Sequence, residues 1–160
     1  MVKLLVVYYS RTGHIKTMAE IMADAAARED AEVRLKEVSD ASNDDLAWAD
    51  GIIIGSPVHF GQPAAEIKKF IDDSVNIRGQ LENKVGAAFA SSGHHTGGKE
   101  TTIMALLESL LVHGMVVCGD PISSGGHFGA AATGAPDELS TKECTALAKR
   151  VVMLASKLVK

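Results

Sequence analysis

The chain has 160 residues, of which 46% are apolar and 22% charged, with a formal net charge of −4. One substantial core fits that size and nothing requires a second, so residues 1–160 read as a single domain. A pI near 5.8 without a basic cluster argues against nucleic acid as a partner, no apolar run approaches the roughly 20 residues that span a bilayer, and the N-terminus has no signal-peptide pattern, so a cytoplasmic protein is expected.

Val2–Tyr9 is an apolar run with the length of a buried strand, and Ile15, Met18, Ala19 and Met22 form the apolar stripe of a helix over Gly13–Glu29. Between them lies a short polar turn, Ser10-Arg11-Thr12-Gly13-His14. The first helix amides point into this turn, unpaired and at the positive end of the helix dipole, which makes it an anion trap. Ser10 and Thr12 add hydroxyl donors, and Gly13 leaves room for close approach. The turn has neither the G-x-G-x-x-G of a dinucleotide site nor the Gly-Lys-Ser/Thr of a triphosphate site. A monophosphate fits it best.

A second strand is expected at Glu32–Val38, a short helix at Asp44–Ala49 and a third strand at Gly51–Gly55. The third strand leads into the loop Pro57-Val58-His59-Phe60-Gly61, then a helix over Ala64–Asp72. His59 and Phe60 are the large groups of that loop, placed to meet a planar ligand. A fourth strand, Lys84–Ala90, is followed by Ser91-Ser92-Gly93-His94-His95-Thr96-Gly97-Gly98-Lys99 and a helix to Val112. Gly93, Gly98 and Lys99 match G-x-x-x-x-G-K, but Glu100 stands where a magnesium-ligating hydroxyl belongs and would repel phosphates. A nucleotide triphosphatase is therefore disfavoured, and a loop of free amides remains.

The fifth strand is expected at Gly114–Cys118, with His113 ending the helix before it, where its positive form would favour the dipole. Residues 121–136 read as a long irregular connection. The last helix is expected over Ser140–Leu158, opened by a Ser140/Glu143 capping box with Leu139 stapled onto Cys144. Cys118 and Cys144 are too far apart for a cysteine motif, and the six histidines lack zinc spacing, so no metal is expected.

Five strands alternating with helices predict an α/β three-layer sandwich, a parallel sheet in the order 2-1-3-4-5 with helices on both faces. Ligands of such sheets bind outside the C-terminal strand ends, at the switch point between strands 1 and 3. Loops 10–15, 55–62 and 91–98 meet there.

Tyr-Tyr-Ser-x-x-Gly-His-Ile after strand 1, Gly-Ser-Pro-x-x-Phe-Gly after strand 3, Ser-Ser-Gly-x-x-x-Gly-Gly…Glu-Thr-Thr after strand 4 and His-Gly-Met before strand 5 resemble the flavodoxin-like NAD(P)H:quinone oxidoreductases of the WrbA type. The resemblance implies a flavodoxin-like fold that holds FMN. Its 5′-phosphate would lie on Ser10, Arg11, Thr12, Gly13, His14 and Ile15. The flavin ring would lie along Pro57, Val58, His59, Phe60 and Gly61, and along Ser91, Ser92, Gly93, His94, His95, Thr96 and Gly97. His113 matches a family histidine near the flavin, one that a neighbouring subunit could donate, and with His59 it is the catalytic candidate. The implied activity is two-electron transfer from NAD(P)H to a quinone in a homodimer or homotetramer. A flavodoxin-type electron carrier is the alternative, disfavoured by 4% aromatic residues and a modest net charge.

Overall fold

The computed structural model describes residues 1–158. Strands β1 (Lys3–Tyr8), β2 (Glu32–Glu37), β3 (Gly51–His59) and β5 (Val85–Ser92) alternate with helices α1 (His14–Ala27), α2 (Asn43–Trp48), α3 (Ala65–Asp73) and α4 (Lys99–Val112). A two-residue strand β4 (Gln62–Pro63) follows β3. After α4 come β6 (Val116–Val117), β7 (Ala130–Thr133) and the long α5 (Glu138–Leu158).

The central strands carry apolar residues on both faces because helices cover both. Leu4 and Val6 of β1, Ile53 of β3 and Ala87 and Phe89 of β5 face one core with α1 and α5. Leu5 and Val7, Ile52 and Ile54, and Ala88 and Ala90 face the other, with α2, α3 and α4. Residues one apart on each strand therefore serve opposite layers, as the pleat requires. Both cysteines are core residues, and burial pushes the Cys118 thiol up to about 11 and the Cys144 thiol up to about 12. Neither is a thiolate at neutral pH.

The sheet runs β2-β1-β3-β5-β6, with β7 also on β5 and β4 antiparallel to β3. The expected order of five parallel positions holds, but the fifth is shared by two short strands. β6 pairs with Val85–Gly86 at the start of β5, and β7 with Phe89–Ser92 at its end. The chain leaves the sheet after β6 and is held by a buried side chain: Asp120 accepts from the amides of Gly126 and His127 and from the Ser124 hydroxyl. Arg150 of α5 donates to the carbonyls of Gly119 and Asp120. Part of the 121–136 segment expected to be irregular is thus a strand. Its alanines have low strand propensity and are selected by packing.

Helices α1, α2 and α3 start within one residue of the expected positions, and α5 departs further. α5 begins at Glu138, two residues early, because Asp137 is its cap: Ser140 N donates to Asp137 Oδ1 at 2.8 Å and Asp137 N donates to Ser140 Oγ at 2.8 Å. Leu139 is consequently exposed, and Glu143 reaches elsewhere. α2 opens with a capping box, Ser42 with Asp45.

Asp45 is 2% exposed and accepts from Arg34 (2.8 Å), Lys36 (2.9 Å) and both the amide and hydroxyl of Ser42 (3.0 and 3.1 Å). Burial opposes its ionisation, but these donors outweigh burial and hold its carboxyl below the usual range. Its contribution to stability is complete above the unfolded carboxylate range and is lost as pH falls through the lower folded value. Asp45→Asn should cost about 2 kcal/mol at pH 7. Denaturation midpoints at pH 7 and pH 3 should show the gap between wild type and variant narrowing in acid. A gap independent of pH would rule out the ionised carboxylate as its source.

Candidate functional site

The C-terminal ends of β1, β3 and β5 open onto a cleft of about 260 Å³. It is lined by Ser10, Arg11, Thr12, His14 and Ile15, by Pro57, Val58 and His59, and by Ser91, Ser92, Gly93 and Gly134. All three predicted loops therefore contribute, joined by Gly134, just past the end of β7.

At the first loop the backbone turns through Gly13 at φ 96°. That conformation favours glycine, and no atom lies within 4 Å of where a Cβ would stand. Gly13 caps α1 without a side-chain acceptor. Ser10 Oγ accepts from the amides of Gly13 (3.1 Å) and Lys16 (3.2 Å), so its proton stays free for a ligand. The amides of Arg11, Thr12, His14 and Ile15 have no acceptor among the described residues. Unpaired donors at a helix start, with an arginine beside them, are the elements of a phosphate cradle.

The second loop is a hairpin. β3 runs on to His59 and pairs back with Gln62–Pro63, and the two-residue turn has φ 51° at Phe60 and 76° at Gly61. Both values are those of a primed turn, whose twist suits adjacent strands. Buried Ser56 fixes the hairpin base, its Oγ accepting from Ala64 N at 2.9 Å and donating to Pro57 O at 2.8 Å. His59 lines the cleft, its ring edge-on to Tyr9 at 6.4 Å between centroids. Phe60 does not. The turn carries it to the tip, fully exposed and outside the cleft wall.

The third loop folds around its own backbone. Ser92 Oγ and Gly97 N both donate to His94 O, and His94 Nδ1 is 3.0 Å from Thr96 Oγ1. Gly98, at φ 103°, caps α4, and a Cβ there would stand 2.8 Å from Gly61 Cα. Thr101 Oγ1 bridges Gly61 O and Gly98 O, tying the second and third loops together. His94, His95, Thr96, Gly97 and Gly61 are not among the residues that line the cleft. Lys99, the lysine of the near-triphosphate sequence, is 2.9 Å from Thr133 Oγ1 and does not enter the cleft.

His113 lies away from the cleft of its own chain. It caps the far end of α4, near the start of β5, so the helix length of about 20 Å separates it from the cleft of its own chain. Ser74 Oγ donates to Ile71 O and lies 2.7 Å from His113 Nε2, so Nε2 carries the proton and donates to Ser74. Burial, with the Arg78 charge, pushes its pKa down. The helix-end preference for a positive histidine loses to desolvation.

Gly134 was missed because one glycine in a stretch of small residues carries no pattern. Its amide donates to Ser92 O and its carbonyl accepts from Ser91 Oγ. Among the described residues no cluster of three or more His, Cys, Asp or Glu could hold a metal, and no helix is long and apolar enough to cross a membrane.

The flavodoxin-domain family model matches residues 5–117. The chain belongs to the flavodoxin family. A flavodoxin of Aquifex aeolicus is 39% identical over 156 residues, covering 93% of this chain and 84% of that one. An NAD(P)H dehydrogenase (quinone) of Archaeoglobus fulgidus is 34% identical across 99% of this chain and 100% of its own length. The crystal structure of a flavodoxin, WrbA-like protein from Agrobacterium tumefaciens superposes with a TM-score of 0.83, at 26% identity and 99% coverage of both chains. Within the flavodoxin family, the expected likeness to quinone-reducing, WrbA-type members therefore holds.

Proposed function

We propose that this flavodoxin-family protein is an FMN-dependent oxidoreductase that carries two electrons from NAD(P)H to a quinone. The observation that carries the reading is the row of unpaired amides at Arg11, Thr12, His14 and Ile15, opening onto a cleft whose other walls come from β3 and β5. Relatives named NAD(P)H dehydrogenase (quinone) at 34–37% identity supply the reaction class.

The vacant space at Gly13 and the neutral donors around it fit a phosphate ester. Ser10, Thr12 and the 14–15 amides would hold the phosphate, with Arg11 offsetting its charge. Pro57–His59 and Ser91–Gly93 would border the ring. When bound, FMN supplies hydride and electron chemistry that side chains lack. His59 is the candidate to hold or move a proton in the cleft. A role for His113 there requires a homodimer or homotetramer that brings one copy's α4 end to another copy's cleft.

The carrier alternative has one observation of its own, the relative named simply as a flavodoxin. Purified protein given FMN should turn yellow, and NAD(P)H with benzoquinone should bleach and reoxidise it over many turnovers. Reduction by NAD(P)H too slow to sustain turnover, with a stabilised one-electron form, would select the carrier. Protein that cannot retain FMN defeats both.

A further inference from the structure

A second concavity of about 540 Å³ lies beside the cleft, along the outer edge of β7. Its lining includes Ala131 and Glu143, the apolar Phe128, Leu139 and Ile103, and the charged pair Lys99 and Glu100. This volume is in the range of small-molecule sites.

Glu143 is 8% exposed yet opens into this groove. Its Oε2 accepts one long hydrogen bond from Ala131 N, at 3.3 Å, and Oε1 has no partner among the described residues. A carboxylate has about four acceptor positions, so Oε1, open to solvent in the groove, is free to accept from a ligand. Burial raises its pKa, and a donor held against Oε1 would favour the ionised form. Across the groove, Phe128 and Leu139 are 52% and 60% exposed. Apolar faces in water beside an open carboxylate acceptor suit a flat ring that carries an N–H donor.

The groove also has a direction. Lys99 forms no ion pair among the described residues and reaches Thr133. The next residue, Gly134, lines the cleft. From Ala131 in the groove lining to Gly134 is three strand residues, about 10 Å. A ligand entering the groove ring-first would pass an ammonium and then reach the cleft. Glu100 lines the groove beside Lys99 and its charge opposes a phosphate there, but it is exposed, so solvent weakens that repulsion.

We propose that this groove is the subsite for the adenosine diphosphate end of the electron donor, with adenine between Phe128 and Leu139, its amino group donating to Glu143, and the diphosphate at Lys99. The assignment rests on the NAD(P)H reading above and names where that substrate is gripped. His127, at the same rim, donates its backbone N–H to Asp120 and is not assigned a contact.

Adenosine monophosphate and inosine monophosphate differ in the amino group that Glu143 would accept. Each is titrated into the full-length protein by calorimetry, with saturating FMN present to fill the cleft. Adenosine monophosphate should bind at least tenfold more tightly, and Glu143→Leu should erase the preference. Phe128→Ala, at a half-exposed position where folding is not at risk, should weaken both about fivefold. In turnover it should raise KM for NAD(P)H while leaving kcat and the quinone KM unchanged. Equal binding of the two nucleotides to the wild type, or binding indifferent to both substitutions, overturns the subsite. Nucleotide binding that depends on Glu143 in a protein that never oxidises NAD(P)H would keep the subsite and defeat the donor reading. Turnover with an unaltered KM in Phe128→Ala would do the reverse.

Discussion

Thr12→Glu should weaken FMN binding about a hundredfold, or about 2.7 kcal/mol, without unfolding the protein. Thr12 lies in the polar turn ahead of α1, lines the cleft and has no side-chain hydrogen bond among the described residues, so its loss costs the fold little. A glutamate there places a negative charge beside the proposed phosphate and can take the free amides for itself. Two unit charges about 4 Å apart interact by about 4 kcal/mol near a protein surface, and solvent screening brings this to the predicted loss. Quenching of FMN fluorescence on titration measures the affinity, and a thermal melt checks the fold. Thr12→Ser keeps the hydroxyl and should bind as the wild type does. A glutamate variant with wild-type affinity would place the phosphate somewhere other than this turn.

The legibility of this site in the sequence follows from which interactions are local. The β1 loop was readable because strand, turn and helix are consecutive, and the Ser10, Gly13 and Lys16 contacts span only six residues. The layering was readable because Leu4–Val7, Ile52–Ile54 and Ala87–Ala90 alternate between two cores. By contrast, β7 exists through pairing with β5 some forty residues away and through the anchoring of the preceding loop by Asp120 and Arg150. An Ala-Ala-Ala-Thr segment does not announce a strand.

The expected site residues that do not line the cleft share a physical cause. Motif order along the chain says which loop a residue belongs to, but not which way a turn points it. Phe60 and Gly61 form a two-residue hairpin turn, and positive φ at both sends the ring outward. His94 and Thr96 bond within their own loop and leave the cleft wall to Ser91, Ser92 and Gly93. His113 follows α4 away from the cleft by the full helix. At the α5 start, Asp137 was a stronger cap than Ser140, which freed Glu143 to reach Ala131 N and line the second groove.

Gly55→Ala should lower stability by about 3 kcal/mol, at the upper end for overpacking, and the thermal midpoint by about 10 °C in a chain of this size. Gly55 of β3 lies directly across from Phe89 of β5 in the sheet register. A Cβ on Gly55 would collide with the far edge of the Phe89 ring, at Cζ and both Cε atoms. Phe89 is completely buried among α1, α5 and the sheet, so the ring has nowhere to retreat. Both strands end in the cleft, at Pro57–His59 and Ser91–Ser92, so a shift of either also moves its walls. Phe89→Leu removes the ring edge and by itself should cost about 1 kcal/mol. If the collision is the cause, the double variant should be more stable than Gly55→Ala alone, since residues in contact are not additive. Chemical denaturation of the two single variants and the double variant measures that coupling. Additive losses would mean that Gly55 matters through its backbone and not through the ring that lies over it.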